Sequence, residues 1–334
     1  MQTTKSKRVL SIIALVLILA IILGTVASAL MGCGAVEKKD DTTIRIGAMK
    51  GATTIGLVNL VDKINKGEAD GNYTFEMYTA GSDVMAAMVA GEVDIALVPA
   101  NVACVMNTKV EGGVSVIDIN TLGVLNCISA GDEIKSVSDL SGKTVYATGQ
   151  GAVPEYTIRY LLEANGVTDC NLEFKSEPTE IVSIFAENAD AVAILPQPFV
   201  TATLAQNEAL KISFDLNDEW AKVNSDCKIV TGVTVATNSF IKEHGGLVEA
   251  FLTAHKESAD KALSDVDTTA ALVVEQGIIA KEPLAKKAIP NCNITCITGK
   301  EMKQALEGYL KVLFEQDPKS VGGSLPGDEF YYGV

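Results

Sequence analysis

Arginine is nearly absent from this chain of 334 residues: beyond residue 8 it occurs only at Arg45 and Arg159. A site built on clustered guanidinium groups is thereby excluded. Histidine is scarcer still, with only His244 and His255. His244 precedes Gly245-Gly246, as at a helix end, and His255 stands beside Lys256-Glu257 on a polar helical stretch, so both read as surface residues. No Ser-His-Asp order and no cluster of metal-ligand residues stands out, so no catalytic residue, metal or cofactor is expected. Aromatic residues make up 5% of the chain, with one tryptophan, which leaves little for a broad stacking platform. Trp220 reads as packing a loop onto the second of two lobes rather than as a ligand platform.

Basic residues are few, and three of the 27 fall in the first eight positions, at Lys5, Lys7 and Arg8. No charge follows until Glu37, Ile12 to Leu23 is unbroken apolar sequence, and the run ends in Leu30-Met31-Gly32-Cys33. A basic start, an apolar middle and small residues before a cut site make a secretory signal. The final cysteine makes the segment resemble a bacterial lipoprotein signal, although Met31 is unusual there. In that reading residues 1–32 are the signal, Cys33 is lipidated and 33–42 is a tether. The apolar stretch is also long enough to span a bilayer, so an uncleaved anchor is the alternative. Either way the rest of the chain works at the extracytoplasmic face of the cell membrane. Past the signal, 24 basic residues face 42 acidic ones, a net charge of −18. Such a protein repels nucleic acid and anionic head groups.

Six cysteines follow Cys33, an even number that permits disulfides in an exported chain. Their spacings form no framework, and several sit in apolar contexts such as Val102-Ala103-Cys104-Val105. They read better as small buried hydrophobes. Cys292 and Cys296 are the close pair, and with no histidine near them in sequence a zinc site is not indicated. Whether they pair with each other stays open.

The chain repeats itself about 100 residues apart. Ile44-Arg45-Ile46-Gly47-Ala48-Met49-Lys50-Gly51-Ala52 precedes a helical pattern, and so does Lys143-Thr144-Val145-Tyr146-Ala147-Thr148-Gly149-Gln150-Gly151-Ala152. Helical stretches opening at Ser82-Asp83 and Thr179-Glu180 follow. Each leads to an acid and an apolar strand ending in proline, Asp94 to Pro99 and Asp190 to Pro196. Apolar runs of this length alternating with helices indicate parallel strands buried on both faces. Val114 to Ser129 and Ile229 to Ala236 are apolar links between the units, and helical sequence fills Asn238 to Phe314. Two links make a hinge, and a hinge between two α/β lobes makes a cleft.

With Ile46-Gly47 through Gly51, Tyr78-Thr79-Ala80-Gly81-Ser82, Gly91 to Ala96, Asp139-Leu140-Ser141-Gly142-Lys143 and Leu195-Pro196-Gln197-Pro198-Phe199, the chain resembles the nitrate/sulfonate/taurine/thiamine-precursor-binding family of ABC-importer receptors. The resemblance covers nearly all of residues 43–320. It implies an α/β, two-lobed type II periplasmic-binding-protein fold. Each lobe would be a mostly parallel sheet flanked by helices, with two hinge crossings. The expected lobes are 43–125 plus 232–334, and 126–231. The implied partners are a small molecule, an ABC permease and the membrane through the lipid anchor, with the chain a monomer. A sensor for a membrane signalling partner is the alternative. An enzyme on this fold is less favoured, since no histidine falls on a predicted cleft loop.

Ligands of open α/β sheets sit beyond the carboxyl ends of the strands, at helix N-termini. Those ends supply Lys50, Gly51, Thr53 and Thr54, then Gly81 and Ser82, then Ala100 and Asn101. Across the cleft they supply Gly149, Gln150, Ala152, Tyr156 and Gln197. Lys50 is the single basic residue among them. The set suits a small polar organic molecule, neutral or anionic, of a sulfonate-like or pyrimidine-precursor-like kind. A flavin would want more aromatic surface.

Overall fold

Burial on both faces decides which apolar runs become central strands. The computed structural model describes residues 40–334, so the expected signal and Cys33 lie outside the described residues. The first unit runs β1 (Ile44–Met49), α1 (Ala52–Ile55), α2 (Val58–Lys66), β2 (Tyr73–Tyr78), α3 (Gly81–Val89), β3 (Ile95–Pro99) and α4 (Ala100–Lys109). Every residue of β3 is buried, whereas β2 is only partly covered. β3 therefore lies inside the sheet and β2 at its edge, with β1 parallel to both.

The apolar link becomes β4 (Val114–Leu122) and β5 (Leu125–Ala130). The second unit repeats the first: β6 (Thr144–Ala147), α5 (Val153–Ala164), β7 (Asn171–Phe174), α6 (Pro178–Glu187), β8 (Val192–Pro196) and α7 (Phe199–Leu204). Here β6 lies parallel to β7 and β8. Then come β9 (Leu210–Asp215), α8 (Leu216–Val223) and β10 (Val230–Thr237). The rest is α9 (Asn238–Ser264), α10 (Val266–Glu275), α11 (Glu282–Ala288), β11 (Ile294–Ile297) and α12 (Gly299–Gln316).

Two sheets result, with orders β11-β4-β10-β3-β1-β2 and β7-β6-β8-β5-β9. The repeat is visible in the matching triplets β2-β1-β3 and β7-β6-β8. The expectation of mostly parallel sheets holds for those triplets. Beyond them, β10, β4 and β11 pair antiparallel in the first sheet, and β5 and β9 in the second. A strand arriving from the other sheet needs no helical crossover, so it is free to run antiparallel. A second difference is β11, which interrupts the run expected to be helical from 238 to 314. Its Ile294-Thr295-Cys296-Ile297 is β-branched at three of four positions and extends the sheet beside β4.

The chain passes between the sheets at Gly123-Val124 and again between β9 and β10. These crossings touch: Asn217 Nδ2 donates to the Gly123 carbonyl at 3.0 Å, and Asn293 Nδ2 donates to the same oxygen. A Cβ at position 123 would stand 1.9 Å from Asn217 Oδ1 and 3.0 Å from the Cβ of Ile229. Only glycine lets the crossings lie this close.

Helix α12 buries Met302, Leu306, Leu310 and Leu313, a helical stripe, in a core shared with residues of both sheets. Its Tyr309 hydroxyl is 2.7 Å from Thr157 Oγ1 on α5. Trp220, on α8, is 2% exposed and donates Nε1–H to the Cys227 carbonyl at 2.9 Å. Its ring lies 4.6 Å from that of Tyr160 and 5.5 Å from that of Tyr309. Trp220 therefore ties the loop at Cys227 to the helices around it, and it offers no face to a ligand. Among the described residues all six cysteines are free thiols. Cys104, Cys127, Cys227 and Cys292 are buried, and Cys170 and Cys296 are half-buried. No helix among the described residues is long and apolar enough to cross a membrane.

Candidate functional site

The chain leaves β1 through Gly51, at φ 150° and ψ −160°, a conformation confined to glycine. That turn brings the next two hydroxyls back onto the strand end: Thr53 Oγ1 donates to the Met49 carbonyl at 3.1 Å and Thr54 Oγ1 at 2.6 Å. Both threonines are buried, with their protons committed and their lone pairs still able to accept. Lys50 is exposed. At the β2 end, Gly81 starts α3 and the exposed Ser82 places its hydroxyl 3.4 Å from Asp83 Oδ1. At the β3 end, Ala100 and Asn101 are buried at the start of α4.

In the second unit Gly149 and Ala152 are half-buried and Gln150 is exposed, all ahead of α5. Glu155 reaches back to accept the Gly151 N–H at 2.7 Å and pairs with Arg159, also at 2.7 Å. Glu163, one helical turn beyond Arg159, accepts from Gln316 Nε2 at 2.6 Å. Gln197 is 2% exposed and spends its amide oxygen on Thr201, at 3.3 Å to the backbone N–H and 2.8 Å to the hydroxyl. It caps α7 in the manner of a side-chain acceptor at a helix start.

The two sets of strand ends meet at Asn101. Its Nδ2 donates to the Gly151 carbonyl at 3.3 Å and to the Ser320 carbonyl at 3.4 Å. Two carbonyl partners fix the amide orientation, which leaves Oδ1 buried with no partner. Burial raises the Tyr156 phenol above its usual range, and the charge of Asp317 adds to this. Asp317 and Ser320 belong to the segment after α12, which the strand-end argument does not reach because it belongs to no strand end. Both arginines among the described residues are occupied: Arg159 by Glu155, and Arg45 by Asp94, with Nε to Oδ2 at 2.9 Å.

A second polar group is buried beside the first sheet, at residues that no local sequence pattern marks. His255 is fully buried, not on the surface as expected, and its Nδ1 stands 2.9 Å from Asp118 Oδ2. A carboxylate only accepts, so Nδ1 carries the proton. The opposite nitrogen, Nε2, is buried without a partner. Asp118 Oδ1 accepts from Thr234 at 2.8 Å, Asn120 Nδ2 donates to that threonine at 3.2 Å, and Thr121 donates to Asn120 at 2.9 Å. The sequence shows no cluster of metal-ligand residues, yet the fold brings three such residues together. Asp118, His255 and Cys296 each place one ligand atom within 4.8 Å of the other two. The three lie on β4, α9 and β11, up to 178 positions apart (118 to 296), so spacing could not reveal them. Burial, and then the charges of Asp118 and Asp260, hold the Cys296 thiol well above the usual range.

A family model described as NMT1/THI5 like matches residues 74–268. Comparison with curated proteins gave no match. Among solved structures, an ABC transporter protein from Parabacteroides distasonis superposes with a TM-score of 0.74 at 23% identity, covering 87% of this chain and 99% of that one. The periplasmic aliphatic sulphonate binding protein SsuA from Escherichia coli gives 0.68 at 16% identity, covering 87% and 96%. The periplasmic nitrate-binding protein NrtA from Synechocystis PCC 6803 gives 0.55 at 13% identity, covering 74% and 69%. The likeness to these binding proteins is one of fold.

Proposed function

This chain belongs to the NMT1/THI5-like family, and from that premise we propose that it is the solute-binding protein of an ABC import system. It is read as a receptor, with no residue assigned a catalytic role. The lobes are 43–125 plus 232–334, and 126–231, hinged at the touching crossings. Cys33 carries the lipid anchor, the chain acts as a monomer, and the captured molecule passes to a membrane permease. The ligand lies where Lys50, Gly51, Thr53, Thr54, Gly81, Ser82, Ala100 and Asn101 face Gly149, Gln150, Ala152 and Tyr156. Gln197 supports that wall through α7.

One observation carries this reading: Asn101 Nδ2 reaches from one set of strand ends to the Gly151 carbonyl of the other. A ligand touching both sets would favour the closed arrangement by its differential contacts. The orphaned acceptor Asn101 Oδ1 also bears on the ligand class. A buried acceptor without a donor costs about 1–3 kcal/mol, which a ligand N–H or O–H would recover. A sulfonate head offers acceptors only, and neither arginine is free to meet it. The pyrimidine-precursor-like class, with its N–H donors, is the better fit of the two.

The test is mass spectrometry of the small molecule released when the purified protein is denatured. The expected result is one polar molecule per chain carrying N–H donors. Release of a sulfonate would overturn the ligand class.

A further inference from the structure

The buried pair of Asp118 and His255 is linked by a chain of hydrogen bonds to the residues behind the solute wall. We propose that Asp118, held by His255, positions that wall through Thr234 and Asn120, and that Gly232 completes the seat of Thr53. These are positioning residues, which act through Thr53 rather than by touching the solute. The inference rests on the reading of Thr53 as a wall residue.

Register places the chain at the solute end of the sheet. β3 and β4 both pair antiparallel with β10, so β4 runs parallel to β3 and its carboxyl end points the same way. Gly232 of β10 lies opposite Pro99 of β3 on one side and Thr121 of β4 on the other. Thr121, with Asn120 before it, therefore stands level with Pro99, where the chain turns into Ala100 and Asn101. The directions of the hydrogen bonds follow from the carboxylate, which only accepts. His255 Nδ1 donates to Asp118 Oδ2 at 2.9 Å, and Thr234 donates to Asp118 Oδ1 at 2.8 Å. With its proton spent, the Thr234 hydroxyl accepts from Asn120 Nδ2 at 3.2 Å. That sets the amide, whose Oδ1 accepts from the Thr121 hydroxyl at 2.9 Å. Each of these side chains belongs to a residue at most 2% exposed, so the chain is shielded from water and polarises along its length.

The chain meets Thr53 over Gly232. A Cβ at that position would stand 2.3 Å from Thr53 Cγ2 and 2.5 Å from Asn120 Oδ1. The two side chains thus share the space that the glycine leaves empty. Gly232 lies outside the left-handed region, so what it supplies is room rather than backbone freedom. With its methyl seated there, Thr53 turns its hydroxyl to the Met49 carbonyl at 3.1 Å and holds the turn that leads from β1 into α1. Movement of Asn120 would loosen Thr53 and that turn together.

The test is amide hydrogen exchange on the full chain without solute, paired with calorimetry using cytosine as a pyrimidine probe that carries N–H donors. Thr234→Val keeps the side chain's shape and removes its hydroxyl, whereas Thr234→Ser keeps the hydroxyl. The amides to follow are those of Thr54 and Leu57, which donate to the Gly51 and Thr54 carbonyls at 3.2 and 2.9 Å. Thr234→Val should speed their exchange about tenfold or more, while β6 and β7 of the second sheet exchange as in the parent. Thr234→Ser should restore the parent's protection. Gly232→Ala should loosen the same amides by displacing Thr53, and adding Thr53→Ser, which removes the crowded methyl, should return most of the protection. Cytosine affinity should fall as protection is lost. Parent-like exchange at Thr54 and Leu57 in both Thr234→Val and Gly232→Ala, or a rise spread evenly over both sheets, overturns the proposal. A parent that binds no cytosine counts against the ligand class instead, and the exchange comparison still decides the positioning.

Discussion

Replacing His255 by alanine is expected to destabilise the protein by about 3–5 kcal/mol, the cost of breaking a buried pair by removing one partner. The side chain is fully buried, and its ring lies 5.5 Å from that of Phe251. Its loss leaves a cavity and strips Asp118 Oδ2 of its 2.9 Å partner. The remaining bond from Thr234 cannot satisfy both carboxylate oxygens. The damage should spread, because Thr234 sits on β10 opposite Asp118 on β4, next to the crossings that join the sheets. Chemical unfolding monitored by circular dichroism checks this, with Lys256→Ala as the control. Lys256 is exposed and pairs with the exposed Asp260, so its removal should scarcely move the midpoint. A loss below about 1 kcal/mol for His255→Ala would mean that the pair is not buried as described.

Cys33→Ser should have an all-or-none effect on location. If Cys33 is the lipidation site, the variant takes up no labelled fatty acid and either accumulates as precursor or leaves the membrane fraction. The physical basis is the steep dependence of anchoring on acyl carbons, about 0.8 kcal/mol for each buried CH2. Four of the six described cysteines are buried and offer no ready alternative to acylation. A Cys33→Ser protein that is labelled and fractionates like the parent would rule out the lipoprotein reading.

Much of the architecture is legible in the sequence because it is periodic. The runs ending at Pro99 and Pro196 are buried along nearly their whole length, and burial on both faces is what an unbroken apolar strand records. Turn chemistry is legible for the same reason, as at Gly51, where one residue type fits the backbone. The antiparallel pairing of β10 and β5 is not written locally, because direction depends on which sheet the strand left. Nor is His255. Its neighbours Lys256 and Glu257 are polar and exposed, so the local pattern reads as surface. What buries it is Asp118, 137 positions away. The strand-end residues divide the same way. Asn101 joins the two units, whereas the same rule picked out Gln197, which serves α7 as a cap. Asp317 and Ser320 reach this region from a segment that carries no strand-end signal.

The central claim is that a solute is held between the two sets of strand ends and draws them together. Small-angle scattering, paired with calorimetry on the molecule released from the protein, tests it most directly. The comparison is between the parent and Asn101→Ala with Gln150→Ala, one change from each set. Each lost hydrogen bond is worth about 0.5–1.5 kcal/mol, so the double variant should bind about tenfold or more weakly. The parent should contract when the solute is added, and the double variant should contract less or not at all. Full affinity and normal contraction in the double variant would place the solute elsewhere.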